Sequence, residues 1–135
     1  MDVPGVIVNN LNLKPGQSIE VKGFIPENCK HFSINLGKDS ENLLLHFNPR
    51  FNHHADIRKI ICNSAENNVW GKEQRENVFP FKEGSVTTVS FKYEKEKFII
   101  VLPSGSSFSF PVRFSMETIS YLFLINLQLE CLKIE

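Results

Sequence analysis

The residues of this chain best equipped for chemistry are His46, Asn48 and Arg50 in the run His46-Phe47-Asn48-Pro49-Arg50, followed by Asn63 and then by Trp70, Glu73 and Arg75. In an extended segment successive side chains point to opposite faces, so His46, Asn48 and Arg50 project together while Phe47 points away. They form a row of planar hydrogen-bonding groups. A second extended piece carrying Glu73 and Arg75 at the same two-residue spacing adds a carboxylate and another guanidinium, and Trp70 offers a flat apolar surface beside them. Such a set suits a sugar. A pyranose is dense in hydroxyls that donate and accept, which fixed polar forks can read, and one of its faces is a patch of C–H groups against which an indole packs. Epimers are then separated by buried polar groups left unpaired when a hydroxyl points the wrong way.

Holding that row in place calls for strands. Twelve phenylalanines, with many Val, Ile and Thr residues, are punctuated by Gly, Pro, Asn and Ser, a pattern that predicts an all-β sandwich. Strands are expected at 6–9, 18–24, 32–36, 43–48, 59–62, 69–71, 77–79, 87–93, 98–102, 107–110 and 122–134, with one helical turn near 116–120. Turns fall at Lys14-Pro15-Gly16, Pro26-Glu27-Asn28, Lys82-Glu83-Gly84 and Pro103-Ser104-Gly105. Alternation is clean in Ser18-Ile19-Glu20-Val21-Lys22 and in Ser107-Phe108-Ser109-Phe110, as in antiparallel sheets with one wet and one packed face. Leu43-Leu44-Leu45 and Ile60-Ile61 break it, which points to central strands or to cover on both sides. The apolar run Leu122 to Ile134 is expected to face the core.

At 135 residues the chain fits one domain, 1–135, with no internal repeat. Fifteen basic and fifteen acidic residues cancel, so there is no general attraction for nucleic acid or an anionic membrane. Neither a secretory leader nor a stretch long enough to span a bilayer is visible, and a cytosolic origin is expected. Cys29, Cys62 and Cys131 are an odd number without CxxC spacing, expected as free thiols rather than a disulfide scaffold or zinc site. Cys62 and Cys131 sit in apolar segments where cysteine acts as a small hydrophobe. No cofactor is implied.

At His46-Phe47-Asn48-Pro49-Arg50, Asn63 and Trp70-Gly71-Lys72-Glu73-Gln74-Arg75 the chain resembles the galectins, the β-galactoside-binding lectins. Leu13-Lys14-Pro15-Gly16-Gln17, Asn35-Leu36-Gly37, Val78-Phe79-Pro80-Phe81 and Phe108-Ser109-Phe110-Pro111 extend the likeness over nearly the whole chain, closest to the prototype members that are commonly homodimers. The resemblance implies a jelly-roll β-sandwich of two antiparallel sheets with the sugar across the concave one. It implies that His46, Asn48 and Arg50 bind the axial 4-hydroxyl of galactose, that Asn63 and Glu73 hold the 6-hydroxyl, and that Trp70 stacks on the ring. Arg50, Glu73 and Arg75 would reach a neighbouring glucose or N-acetylglucosamine, with Glu73 bracing the two arginines, and His54 matches a position beside the sugar in some members. The implied partners are β-galactoside glycans of glycoproteins and glycolipids, cross-linked by a homodimer. The implied location is both cytoplasmic and extracellular.

Three departures stand out. Ala55 follows His54 where the family commonly has Gly, Val112 replaces the usual Asn, and Tyr121-Leu122-Phe123-Leu124-Ile125-Asn126-Leu127 stands in place of a polar bend before the last strand. Other readings compete with the lectin. A His-Asn-Arg alternation alone is ordinarily a solvated strand face, and a lone Trp is ordinarily core. His53-His54 with His46 and Asp56 hints at metal, yet adjacent strand residues face opposite ways, and no metal is expected. Glu73 with Glu76 hints at a glycosidase pair, but a carboxylate flanked by arginines is held ionised, the wrong state for a general acid, and no enzyme is expected. A partner that is itself a protein remains the alternative to a glycan.

Overall fold

The computed structural model describes residues 3–135. Twelve strands are arranged as β1 (Val6–Leu13), β2 (Ser18–Ile25), β3 (Ser33–Asp39), β4 (Asn42–His53), β5 (Asp56–Glu66), β6 (Val69–Trp70), β7 (Gln74–Glu76), β8 (Ser85–Tyr93), β9 (Lys97–Val101), β10 (Ser107–Pro111), β11 (Ile119–Ile125) and β12 (Gln128–Ile134). One sheet runs β1-β11-β3-β4-β5-β6 with β7 also on β5, and the other runs β10-β9-β8-β2-β12. Every pairing is antiparallel. The expected all-β jelly-roll sandwich is the observed fold.

Alternation explains the packing. In β2, Ile19, Val21 and Ile25 are buried, and in β8 so are Val89, Phe91 and Tyr93, so these paired strands turn one apolar face inward. From the other sheet Phe47 reaches across to Phe91 with ring centroids 5.3 Å apart, edge to face. Phe47 is therefore the inward partner of the outward row His46, Asn48 and Arg50, and its burial fixes which way that row faces. Leu43, Leu44 and Leu45 are all buried because the β4–β5 register slips between Leu43 and His46. The slip turns Leu43 onto a second small cluster with Ala65 and Tyr121.

Several expected elements move. The strand read at 77–79 lies instead at Gln74–Glu76, because Phe79 leaves the sheet to pack edge-on against Phe51 and Phe81. Residues 122–134 are not one strand: Asn126, at φ 55°, turns the chain, so β11 and β12 fall in different sheets. Both parts reach the core to different depths: Leu122, Leu124 and Leu127 are buried, Leu129 and Leu132 pack against the core while partly buried, and Ile134 is exposed. No helical turn forms at 116–120. Ile119 already begins β11, and the Met116 carbonyl accepts from Tyr93 Oη at 3.1 Å instead of from a helical N–H. Cys62 is in the core as expected, whereas Cys131 is only half-buried on edge strand β12, and both are free thiols.

Candidate functional site

Three central strands build the floor of a groove of about 520 Å³ on the outward face of the larger sheet. The register sets Asn35 beside His46 and His46 beside Asn63, so β3, β4 and β5 each contribute an amide or imidazole along one line. His46, Asn48, Arg50, His54, Asn63, Trp70 and Glu73 all line the groove. Arg75 is not among the lining residues and acts from behind Glu73.

The state of His46 follows from its partners. Asn35 Nδ2 donates to Ser33 Oγ and to the Phe123 carbonyl, both at 3.0 Å, so Asn35 presents its oxygen to His46 Nδ1 at 2.5 Å. The imidazole proton therefore sits on Nδ1, and Nε2 is a lone-pair acceptor. Burial, with Arg50 and His31 adding repulsion, pulls the His46 pKa down to about 4, so the ring is neutral at physiological pH.

Arg50 is held on two sides. Its Nε donates to Asn48 Oδ1 at 2.9 Å and its Nη1 to Asp56 Oδ2 at 2.7 Å, which leaves Nη2 uncommitted among the described residues. Arg75 Nη2 donates to the other Asp56 oxygen, and Arg75 Nη1 donates to Glu73 Oε1 at 2.6 Å. The carboxylate between the two guanidiniums is thus Asp56, which corrects the expectation that Glu73 braces both. Glu73 touches Arg75 alone. The β4–β5 hairpin returns Asp56 to a place beside Arg50, and no spacing rule in the sequence announces that. The hydrogen bond from Arg75, joined by that from Arg50, holds the Asp56 carboxyl below its ordinary range.

Asn63 is equally fixed. Its Nδ2 donates to the Gly71 carbonyl at 3.0 Å, and its Oδ1 accepts from Ser64 N–H at 2.8 Å and from Arg113 Nη1 at 3.0 Å. Arg113 also donates to Ser64 Oγ at 3.1 Å and to the Lys72 carbonyl at 2.6 Å, which ties the 69–76 segment to β5. A Cβ on Gly71 would lie 2.7 Å from Arg113 Nη1, so this glycine makes room for the clamp. Arg113 is not among the candidate residues of the sequence, because its place here depends on a fold contact that no local pattern carries. Trp70 is 53% exposed, unusual for an indole, and stands 4.9 Å from the His46 ring at 60°.

At the far end His54 and Ala55 occupy the hairpin turn with φ of 49° and 65°. The left-handed conformation persists with Ala in place of Gly. His53 stacks on His31 at 3.9 Å and 19°, and burial, with His31 and His54 nearby, pulls the His53 pKa down to about 4. His31 Nδ1 lies 3.2 Å from Asn48 Nδ2. These parallel rings stack rather than converge, and among the described residues no cluster of three His, Cys, Asp or Glu side chains could hold a metal ion.

The family profile of galactoside-binding lectins matches residues 4–134. A galectin-1 from Rhinella arenarum is 52% identical over 131 residues, 97% of this chain and 98% of that protein. The structure of a toad ovary galectin in complex with thio-digalactose is 51% identical with a TM-score of 0.97, covering 98% of this chain and 99% of the other. CG-16, a homodimeric agglutinin from chicken liver, is 38% identical with a TM-score of 0.92, covering 98% of this chain and 100% of the other. A sandwich with this groove and these relatives defines the class: the chain belongs to the galactoside-binding lectins, the galectins.

Proposed function

We infer that the chain is a non-enzymatic lectin that binds β-galactosides of the lactose and N-acetyllactosamine type on the outward face of its larger sheet. The observation that carries this reading is the pairing of a neutral imidazole acceptor, His46 Nε2, with the uncommitted Arg50 Nη2 on the same strand. A hydroxyl donates to the first and accepts from the second only if it points down onto β4, which an axial 4-hydroxyl does and its equatorial epimer does not. Asn48 completes that contact. Asn63 and Glu73 take the 6-hydroxyl, Trp70 packs on the C–H face, and Arg75 supports the reducing-side sugar through Glu73. His54 borders the groove from the hairpin.

Hydrolysis is not the reading favoured, because the carboxylates beside the groove are committed to guanidiniums, Asp56 to two arginines and Glu73 to one. The whole of 1–135 acts as one carbohydrate-recognition domain, supported by the family match over nearly all of it. Cross-linking follows if two copies pair, as in the homodimeric chicken agglutinin. β1 and β12, at the edges of their sheets, offer open strands for such pairing. Among the described residues no helix is long and apolar enough to cross a membrane. We place the protein both in the cytoplasm and outside cells, in keeping with the family.

Trp70 is the chain's single tryptophan, so its fluorescence reports the groove alone. Titration with lactose is expected to shift the emission, with a dissociation constant in the millimolar-to-micromolar range, about 4–8 kcal/mol. An unchanged spectrum together with no retention on immobilised lactose overturns the reading.

A further inference from the structure

Pro49 sits in the interior of β4, with β5 on one side and residues 31 and 32 on the other, where a proline ordinarily breaks a ladder. Phe32 N–H donates to the Pro49 carbonyl at 3.1 Å. In an antiparallel ladder the accepting residue returns its own N–H to the same partner, and Pro49 has none. The buried Phe32 carbonyl would be stranded. It is met instead by the side chain of the preceding residue: Asn48 Nδ2 donates to Phe32 O at 2.8 Å. The other Asn48 amide hydrogen faces His31 Nδ1 at 3.2 Å, and Asn48 Oδ1 accepts from Arg50 Nε at 2.9 Å. Two one-way partners, a carbonyl and a guanidinium N–H, therefore settle which end of the amide is which.

We propose that Pro49 is a positioning residue of the sugar site: by withholding a backbone N–H it assigns the Phe32 carbonyl to the Asn48 amide, and so locks Asn48 with its oxygen toward Arg50. The lock has two consequences. Asn48 meets a ligand as a hydrogen-bond acceptor, since both its amide hydrogens point into the protein. Arg50 Nε is also anchored, so the guanidinium plane is set before the sugar arrives, which lowers the ordering cost of binding. Any other residue at 49 restores a backbone N–H that competes with Asn48 for the same carbonyl and releases the amide.

This inference rests on the galactoside reading for its effect on affinity, but the lock itself can be observed without sugar. In sugar-free protein, a scalar coupling across the hydrogen bond from Asn48 Nδ2 to the Phe32 carbonyl carbon is expected by NMR, with slow exchange of the amide protons. In Pro49→Ala the coupling is expected to pass to the restored backbone amide at position 49 while lactose binds about 2- to 10-fold more weakly, the penalty for ordering one freed side chain. Retention of the coupling or of full lactose affinity in a folded Pro49→Ala overturns the proposal. If that variant does not fold, absence of the coupling in the natural protein overturns it and presence supports it. A natural protein that shows the coupling yet ignores lactose supports the lock and refutes the galactoside reading instead.

Discussion

At the scale of single residues, the proposed site is one whose charges and protons are fixed before a ligand arrives. Arg50→Ala removes the shared donor and leaves Asp56 with one arginine; loss of about 2–5 kcal/mol is expected, which makes lactose binding undetectable by calorimetry. Asp56→Ala removes the one partner the two guanidiniums share, leaving Arg50 on Asn48 and Arg75 on Glu73, and is expected to weaken lactose by about 10-fold or more, whereas an affinity equal to the natural protein's would show that the brace is ornamental. The pH dependence follows from His46, with His53 shifted the same way, and from Asp56. His46 binds its proton less readily folded than unfolded, so the unfolded chain takes up more protons between pH 6.5 and about 4, and stability falls as pH drops through that window. Asp56 has a lowered pKa, so its contribution holds above 3.8 and is lost as pH falls through its folded value. Lactose affinity measured from pH 7 downward is expected to be kept at pH 5, to fall by about half near pH 4 and to decline by about tenfold per pH unit below that, as Nε2 becomes a donor. His46, Asn48 and Arg50 were legible in the sequence because a period of two is a local property. Asp56 was not, since its partnership with two arginines arises from the hairpin's return and from β7 pairing with β5.

Elements present the residues, and two connections between them decide how firmly. Arg113, arriving from the end of β10, holds Asn63 and the Lys72 carbonyl together, so Arg113→Ala is expected to loosen the 69–76 segment that carries Trp70 and Glu73. A several-fold loss of lactose affinity with higher exchange of the Gly71 amide would be the readout, while unchanged exchange would refute the clamp. The β4–β5 turn holds Ala55 at φ 65°, a conformation that costs a non-glycine residue about 1 kcal/mol. Ala55→Gly is therefore expected to leave stability unchanged or to raise it by up to about 0.6 kcal/mol in chemical unfolding, the relieved strain less the added chain freedom, and a clear loss of stability would contradict the strain. Strand positions were readable where one face alternates, as in β2 and β10, and misread where apolar residues serve something other than a sheet. Val78 and Phe79 look like a strand, yet Phe79 caps the core edge-on; Leu122 to Ile134 looks continuous, yet Asn126 sends its two halves to different sheets. The strand expected over 43–48 runs on through Pro49 to His53, because its pairing with β5 continues to Asp56.

For the whole molecule, two apolar sheet faces interlock through Phe47 and Phe91, which leaves one polar groove turned outward on a rigid floor. Pairing of two such sandwiches would double weak sites into strong attachment, with avidity gains of about 100-fold or more on a multivalent surface. Agglutination of galactoside-bearing cells, reversed by free lactose and lost on dilution below dimer formation, is the expected sign; agglutination that persists in excess lactose would place the contact elsewhere. The sandwich was readable from strand spacing and phenylalanine content, whereas the order of strands within each sheet depends on long-range pairing that composition does not encode. The central claim is that β4 recognises one axial hydroxyl. Calorimetric titration with lactose and with cellobiose, which differ in the orientation of the 4-hydroxyl on the non-reducing ring, tests it most directly. Lactose is expected to bind at least about 10- to 100-fold more tightly, the cost of one unpaired polar contact, and equal affinities for the two disaccharides would contradict the account.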